Sequence, residues 1–375
     1  MGKRIRVLIV EDSLVVRRVL ARLLNNDPEI EVVGTARHGE EAIRIIPELK
    51  PDLVLMDVEM PVMDGYQAVE WIMAHQPTPI LVLTDLPRDQ VVFQMLGAGA
   101  LDVMTKPSTS HADYTELLRK IKVLAGVRVI HHPRGKLGPR HRARPSSTVP
   151  ASSLNLVSTQ RESLRPFPQE FFPVVAVASS AGGPQALSRL LADLPGSLPA
   201  AVLIVQHIAP GFVPGLVEWL DRESQLAVRL AAEGDRVEPG VVCVAPDHAH
   251  MKVRTRDVIE LTYEEPEMNL RPAADVLLRS VAEVYGPRAI GVILTGMGRD
   301  GAQGALAIKQ AGGYVFVQDK SSCSVFGMPR AAIAVGAADE VVPLDKMAQR
   351  LVEYIRRLGR VKPSAPNDGG RKEKP

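Results

Sequence analysis

Cysteine is nearly absent from this 375-residue sequence, with Cys243 inside the apolar run VVCVAP and Cys323 in a polar loop the only two. Two thiols so placed exclude a disulfide framework and fit a reducing compartment. Long apolar runs are missing as well. None approaches the ~18 residues of a membrane span, so direct membrane insertion is not expected. The start MGKRIRVLIVEDS carries a short apolar run that breaks into charge, so a secretion signal is not expected either. Arg6 stands where myristoylation after Gly2 wants Ser or Thr. Charge of one sign is also scarce: a formal net charge of +2 creates no general field toward nucleic acid. No helix-turn-helix pattern stands among the strand-like runs. The expectation is a cytoplasmic protein that does not bind nucleic acid.

What is present is apolar residue, 46% of the chain, ample for two cores. The length predicts about two domains. The stretch VVAVASSAGG organises the rest: Val174 to Ala178 reads as a strand of a parallel-sheet interior, because a short run of small and β-branched residues ends at a turn signal. Ser179 to Gly183 supply that turn. Pro184 suits the first turn of a helix whose apolar positions Ala186, Leu187, Leu190 and Leu191 follow helical spacing. A serine there lies at the carboxyl end of a strand, where open α/β sheets place ligands and helix amides can face an oxyanion.

Residues 1–125 repeat an apolar run followed by a helical pattern. Strands are predicted at Ile5 to Val10, Ile30 to Gly34, Leu53 to Met56, Ile80 to Leu83 and Leu101 to Met104, with a last helix from Asp113 to Leu124. Strict alternation implies a five-stranded parallel, doubly wound α/β unit. Chemistry-bearing residues gather at strand ends: Glu11 and Asp12, Asp57, and Lys106 before Pro107. Converging carboxylates repel one another and need a cation, and all-oxygen ligation suits Mg²⁺. A lysine at a neighbouring strand end can hold a transferred phosphoryl group.

VLIVEDS, LVLMDVEMPVMDG, Thr84 and Thr105-Lys106-Pro107 together resemble a two-component receiver domain. The resemblance implies Asp57 as phosphoryl acceptor and Mg²⁺ held by Glu11, Asp12, Asp57 and the Glu59 carbonyl. It also implies Thr84 as switch hydroxyl, Lys106 as phosphate partner, and a sensor histidine kinase as donor. Two positions depart from the receiver pattern: Asp85 replaces the small residue after the switch hydroxyl, and Val103 stands where an aromatic is usual.

From about 126 to 172 the chain is rich in Pro, Arg, His and Ser without either hydrophobic period, and reads as a flexible linker. Its paired His131 and His132 lack other ligands at metal spacing. Residues 359–375 are too polar to fold and read as a disordered tail.

Residues 173–358 carry further strand-like runs, AAVLIVQH, VVCVAP, AIGVILTGMGRDG and YVFVQD. Helical patterns stand at Pro184 to Leu194, Val213 to Glu223, Ala273 to Tyr285 and Gly301 to Ala311. This is a second doubly wound α/β unit, which alone licenses no function. Ser180, His207 and Asp300 each follow a strand, so a parallel sheet brings them to one edge. A serine hydroxyl becomes nucleophilic when an imidazole removes its proton and a carboxylate orients that ring. From the residues alone, a phosphate-cradling turn with a core histidine and an Asp300 cap on the helix that GMGRDGAQGAL starts stands beside the triad, although SSAGGP has neither G-x-G-x-x-G nor P-loop spacing.

SSAGGP, VQHIAPGF, LRPAADVLLRSVA, ILTGMGRDGA and SVFGMPRAA resemble the catalytic domain of chemotaxis protein-glutamate methylesterases. That resemblance implies Ser180 as nucleophile, His207 as general base and acid, Asp300 as orienting carboxylate, and the Ala181 and Met297 amides as oxyanion hole. It implies a methyl-accepting chemoreceptor as substrate, glutamine deamidation at the same site, and a catalytic domain without a cofactor. Ala181 departs from the family's threonine, and Ala178 and Ser179 from its glycine-alanine pair. Register against the two glycines selects Ser180 over Ser179. His248 and His250 offer a rival base, and as an H-x-H pair on a strand they would face one side in a metal-like arrangement. His250 is assigned no catalytic role, while Arg271 and Arg330 are candidates either for lining the cleft or for a simple surface role.

Overall fold

The computed structural model describes residues 3–85, 90–107, 111–127, 129, 172–254 and 257–360. The basic stretch with His131 and His132 and most of the tail lie outside them. In the first sheet β1 (Ile5–Val10), β2 (Ile30–Ala36), β3 (Leu53–Asp57), β4 (Ile80–Thr84) and β5 (Asp102–Thr105) run parallel in the order β2-β1-β3-β4-β5. The helices are α1 (Leu14–Asn25), α2 (Gly39–Leu49), α3 (Gly65–His75), α4 (Gln90–Ala98) and α5 (His111–Leu124). β3 and β4 are buried at every position because helices cover both faces. The order reverses direction at β1 and β3, and that crevice receives Glu11, Asp12 and Asp57.

The second sheet has seven parallel strands in the order β14-β13-β12-β6-β7-β9-β8. These are β6 (Val174–Ser179), β7 (Ala201–Gln206), β8 (Ala227–Leu230), β9 (Val241–Val244), β12 (Ala289–Ile293), β13 (Tyr314–Gln318) and β14 (Glu340–Val342). An antiparallel hairpin, β10 (His250–Arg254) with β11 (Val258–Thr262), interrupts the alternation. Around the sheet lie α6 (Gly183–Asp193), α7 (Val213–Glu223), α8 (Ala274–Tyr285), α9 (Ala302–Gln310), α10 (Met328–Ala334) and α11 (Leu344–Arg360). The short edge strands β8 and β14 and the charged hairpin go beyond the sequence expectation. α11 runs to Arg360, into the stretch expected to be disordered.

β6, β7 and β12 are fully buried and lie side by side, so their carboxyl ends form the switch point of this sheet. α8 and α9 cross closely beneath it. A Cβ at Gly304 of α9 would stand 2.6 Å from the Leu278 Cβ and 2.9 Å from the Asp275 carbonyl oxygen. Gly304→Val should therefore destabilise the fold by about 1–3 kcal/mol through overpacking, seen as a lower thermal midpoint. Gly359→Ala, on α11 with open space around it, should leave the midpoint unchanged or raise it slightly.

Candidate functional site

Two constellations occupy the two switch points. At the first, Glu11, Asp12 and Asp57 offer oxygen atoms within 4.8 Å of one another. Lys106 Nζ lies 3.0 Å from Glu11 Oε2, 2.9 Å from Asp57 Oδ2 and 3.8 Å from Asp85 Oδ2. One ammonium thus faces a surplus of carboxylates. Burial pushes the Asp57 carboxyl up, with the Lys106 bond acting against it, and does the same to Glu11, where the Asp57 charge adds to the rise. Burial acts to lower the Lys106 value, yet its bonds to Asp57 and Glu11 hold it above the ordinary one. Such a charge deficit with an all-oxygen donor set fits a hard divalent cation. Thr84 is buried and its carbonyl accepts the Lys106 backbone amide at 3.1 Å. Glu59 is exposed on the rim of a pocket that Asp12, Met60 and Asp64 also line. Val103 is fully buried, and Asp85 is a partner of Lys106 as well as a negative charge at the entrance.

At the second switch point β6 and β7 pair in register through Ser179 and Gln206, so Ser180 and His207 leave adjacent strands one residue further on. The Ser180 amide donates to the Thr295 carbonyl at 3.0 Å, and the His207 amide donates to the Ser179 carbonyl at 2.9 Å. Asp300 Oδ2 lies 2.9 Å from His207 Nε2. That separation is within hydrogen-bond range, although the contact does not meet the geometry of a hydrogen bond. The proximity still decides the electrostatics, because Asp300 is 2% exposed. Free-enzyme contacts of this kind commonly tighten only with substrate.

Asp300 was expected to cap the helix that follows it. It instead caps α8: its carboxylate accepts the amides of Ala274 at 2.6 Å and Asp275 at 2.9 Å, besides that of Gly301 at 2.9 Å. Burial acts to raise its pKa, but His207 and these amides outweigh it and hold the carboxyl below its ordinary value. Its neighbour Asp275 moves the other way. Burial pushes that carboxyl up against the Gly304 amide bond, and the Asp300 charge adds to the rise. Neighbouring buried carboxyls are thus shifted in opposite directions, Asp300 towards easier ionisation and Asp275 away from it.

Two peptide units frame Ser180. The Ser180 carbonyl accepts from the Gly183 amide at 2.7 Å and Gln206 Nε2 at 2.8 Å, and the Gly296 carbonyl accepts from the Gly327 and Met328 amides at 3.0 and 2.9 Å. A Cβ at Gly296 would lie 2.9 Å from the Ser180 Cβ, and one at Gly327 would lie 2.6 Å from the Gly296 oxygen. Only glycine permits either approach. Thr295, Gln206 and Gln318 were missed as site residues. Thr295 Oγ1 donates to the Ala181 carbonyl at 2.9 Å and accepts the Val325 amide at 2.9 Å, while Gln318 Oε1 accepts the Thr295 amide at 2.7 Å. The available signal was a glutamine closing an otherwise apolar strand in both VLIVQ and YVFVQ.

The expected strand pair of histidines needs correction. His248 and His250 do not share a strand face: His248 sits exposed in a turn, and His250 opens β10 and is buried. The His250 ring is occupied, its Nδ1 accepting the Ala273 amide at 3.1 Å with its Nε2 3.3 Å from the Glu265 carbonyl. Arg271 donates to the carbonyls of Tyr263 and Glu264 at 3.4 and 3.3 Å, and Arg330 is exposed on α10.

The two units meet beside Ser180. Phe93 of α4 stacks on Trp219 of α7, with ring centroids 6.1 Å apart. The Gly182 amide donates to the Leu101 carbonyl at 3.1 Å, and Gln185 Nε2 donates to the Ala100 carbonyl. Ala181 packs into the cluster that contains Leu101 and Met104.

Family models for the CheB methylesterase and for the response regulator receiver domain match residues 175–351 and 7–119. A protein-glutamate methylesterase/protein-glutamine glutaminase of Syntrophus aciditrophicus is 42% identical, covering 93% of this chain and 98% of that protein. One from Pyrococcus abyssi is 40% identical, covering 95% of each chain. The crystal structure of the Thermotoga maritima CheB methylesterase catalytic domain is 40% identical, covering 49% of this chain and 98% of that one, with a TM-score of 0.48. With a parallel sheet matched to each family model and relatives alike over nearly their whole length, the chain belongs to the receiver-linked protein-glutamate methylesterase/protein-glutamine glutaminase family.

Proposed function

We propose that the chain is a phosphorylation-regulated carboxylic ester hydrolase that removes methyl groups from γ-glutamyl methyl esters on the cytoplasmic helical region of a chemoreceptor. The proximity of His207 Nε2 to the buried Asp300 carboxylate, one strand end from Ser180, carries this reading. Nε2 faces Asp300, which leaves Nδ1 to take the Ser180 proton as Oγ attacks the γ-carbonyl carbon. Asp300 stabilises the resulting imidazolium, and the Ala181 and Met297 amides receive the oxyanion. The C–O bond to the methoxy group then breaks, and His207 returns the proton to release methanol. Water, deprotonated by His207, attacks the glutamyl-serine ester and restores Ser180. A glutamine side chain follows the same course with ammonia leaving. Both activities in the relatives' names fit one site.

The domain assignment is a receiver over 1–125, a linker over 126–172, a catalytic domain over 173–358 and a tail beyond. No helix among the described residues is long and apolar enough to cross a membrane, which fits a cytoplasmic enzyme acting on receptor cytoplasmic regions. A sensor histidine kinase donates the phosphoryl group to Asp57. Glu11, Asp12, Asp57 and the Glu59 carbonyl would hold Mg²⁺, which when bound neutralises charge on the acceptor and the incoming phosphoryl oxygens. Lys106 pairs with the phosphoryl oxygens and Thr84 supplies the switch hydroxyl. The receiver contacts on Ala181, Gly182 and Gln185 restrict the cleft, and phosphorylation relaxes them.

Methanol release from methylated receptor should rise when a small phosphodonor is added, and Asp57→Asn should lose that rise while keeping basal turnover; a donor without effect would contradict the regulation. Relief of occlusion has its own probe. A Cβ at Gly215 would stand 2.4 Å from the Phe93 ring, so Gly215→Leu should wedge the interface apart and raise the unphosphorylated rate. An unchanged or reduced rate counts against occlusion.

Asp300→Asn should lower kcat by roughly 10³–10⁴-fold, since the amide no longer stabilises the imidazolium. Folding will report the same charge. The folded carboxyl titrates below its ordinary value of 3.8, so its contribution is complete above that value and is lost as pH falls through the folded one. Acid unfolding curves should show this loss in the parent and not in Asp300→Asn.

A further inference from the structure

Peptide planarity turns a hydrogen bond on one side of an amide into an aiming device for the other. In a trans peptide the C=O of one residue and the N–H of the next point in opposite directions across a rigid plane. The Ser180 carbonyl shares its plane with the Ala181 N–H, and the Gly296 carbonyl shares its plane with the Met297 N–H. Whatever grips those carbonyls therefore sets where the two amides aim. Main-chain amides alone grip the Gly296 carbonyl, from Gly327 and Met328. The Ser180 carbonyl differs: besides the Gly183 amide it accepts a side-chain donor, Gln206 Nε2, at 2.8 Å.

Gln206 is built into place. It is 3% exposed, its Oε1 accepts the Ser179 hydroxyl at 2.6 Å, and its Nε2 also donates to the His207 carbonyl at 2.7 Å. The Ser179 hydroxyl and the two carbonyls thus each dictate the same orientation of the amide group. Gly183 leaves it room, since a Cβ there would fall 2.0 Å from Gln206 Oε1. The His207 main chain is held separately through its amide to the Ser179 carbonyl at 2.9 Å, and the ring faces Asp300. Loss of the Gln206 side chain consequently leaves the base near its place and frees the Ser180–Ala181 peptide to rock.

We propose that Gln206 is a positioning residue that aims the Ala181 amide at the developing oxyanion, with the Ser179 hydroxyl fixing the orientation of Gln206. This rests on the reading of Ser180 as nucleophile. Gln206 touches no reacting atom, so its effect is confined to the transition state. Misaiming a donor by a fraction of an ångström to an ångström costs roughly ten- to a hundred-fold in rate, less than the loss of the donor itself.

The test uses the full-length protein and a methylated receptor fragment, with Gln206→Met as the isosteric variant that cannot donate. Expected is a kcat about ten- to a hundred-fold lower, an unchanged KM, and an unchanged pH midpoint for the general base. Affinity for a glutamyl trifluoromethyl ketone, whose adduct carries the oxyanion, should fall by the same factor as kcat. A kcat within about two-fold of the parent overturns the proposal, being well short of the effect of misalignment. So does a lower kcat with undiminished ketone affinity or a displaced pH midpoint. If Gln206→Met does not fold, Ser179→Ala decides: a smaller loss in kcat and ketone affinity at constant KM supports the assignment, and unchanged values overturn it. Ser180→Ala run alongside separates the levels. Turnover there removes the nucleophile and the proposal with it, whereas an inactive Ser180→Ala beside an unaffected Gln206→Met removes the role of Gln206 alone.

Discussion

An ionised carboxylate almost wholly hidden from water needs partners on every side, and Asp300 has them. Three main-chain amides and the His207 ring surround it, two of those amides opening α8. The positive end of that helix compensates burial, so the charge persists beside the ring that the proposed mechanism protonates. Helix packing is thereby tied to the carboxylate of the proposed triad. α8 must meet α9 closely enough for Gly304 to lie against Leu278 and for Asp275 to take the Gly304 amide, or the carboxylate loses its cradle. Beside it, Thr295, Gln318 and Gln206 bind the ends of β12, β13 and β7 to the turn after β6.

The receiver meets this assembly beside the turn after β6 and along α7. Its Ala100–Leu101 carbonyls take hydrogens from Gln185 and Gly182, at the start of the helix that follows Ser180. Phe93 and Trp219 supply the apolar part of the contact. At the opposite, carboxyl end of the receiver sheet, Lys106 is shared between Glu11, Asp57 and Asp85, pairings that the proposed phosphorylation of Asp57 would redistribute. A contact close to Ser180 and a charge cluster around Lys106 are the ingredients that the proposed two-state control requires.

Much of this was legible in the sequence because parallel sheets write plainly. Uninterrupted apolar runs such as VLIVQ and AIGVI have few alternatives, and the polar residues just past them fall at one edge whatever the loop lengths. Side-chain partners were harder to see. Asp300 was readable as a helix cap, but nothing local says that it caps α8, whose start lies 26 positions earlier. β8 and β14 escaped because short edge strands mix exposed and buried positions, and the hairpin of β10 and β11 because Lys252, Arg254 and Glu260 obscure its alternation. The histidine pair misled for the same reason: strand β10 begins at His250, too late to place both rings on one face.

The account stands on a single covalent event, acylation of Ser180 in the pocket shared with His207 and Asp300. Rapid acid quenching of full-length protein turning over a methylated receptor fragment, followed by peptide mapping by mass spectrometry, reads that event directly. A glutamyl ester on Ser180 during turnover is the predicted result. An adduct on Ser179 or elsewhere, or methanol released with no adduct at any time during turnover, would contradict it.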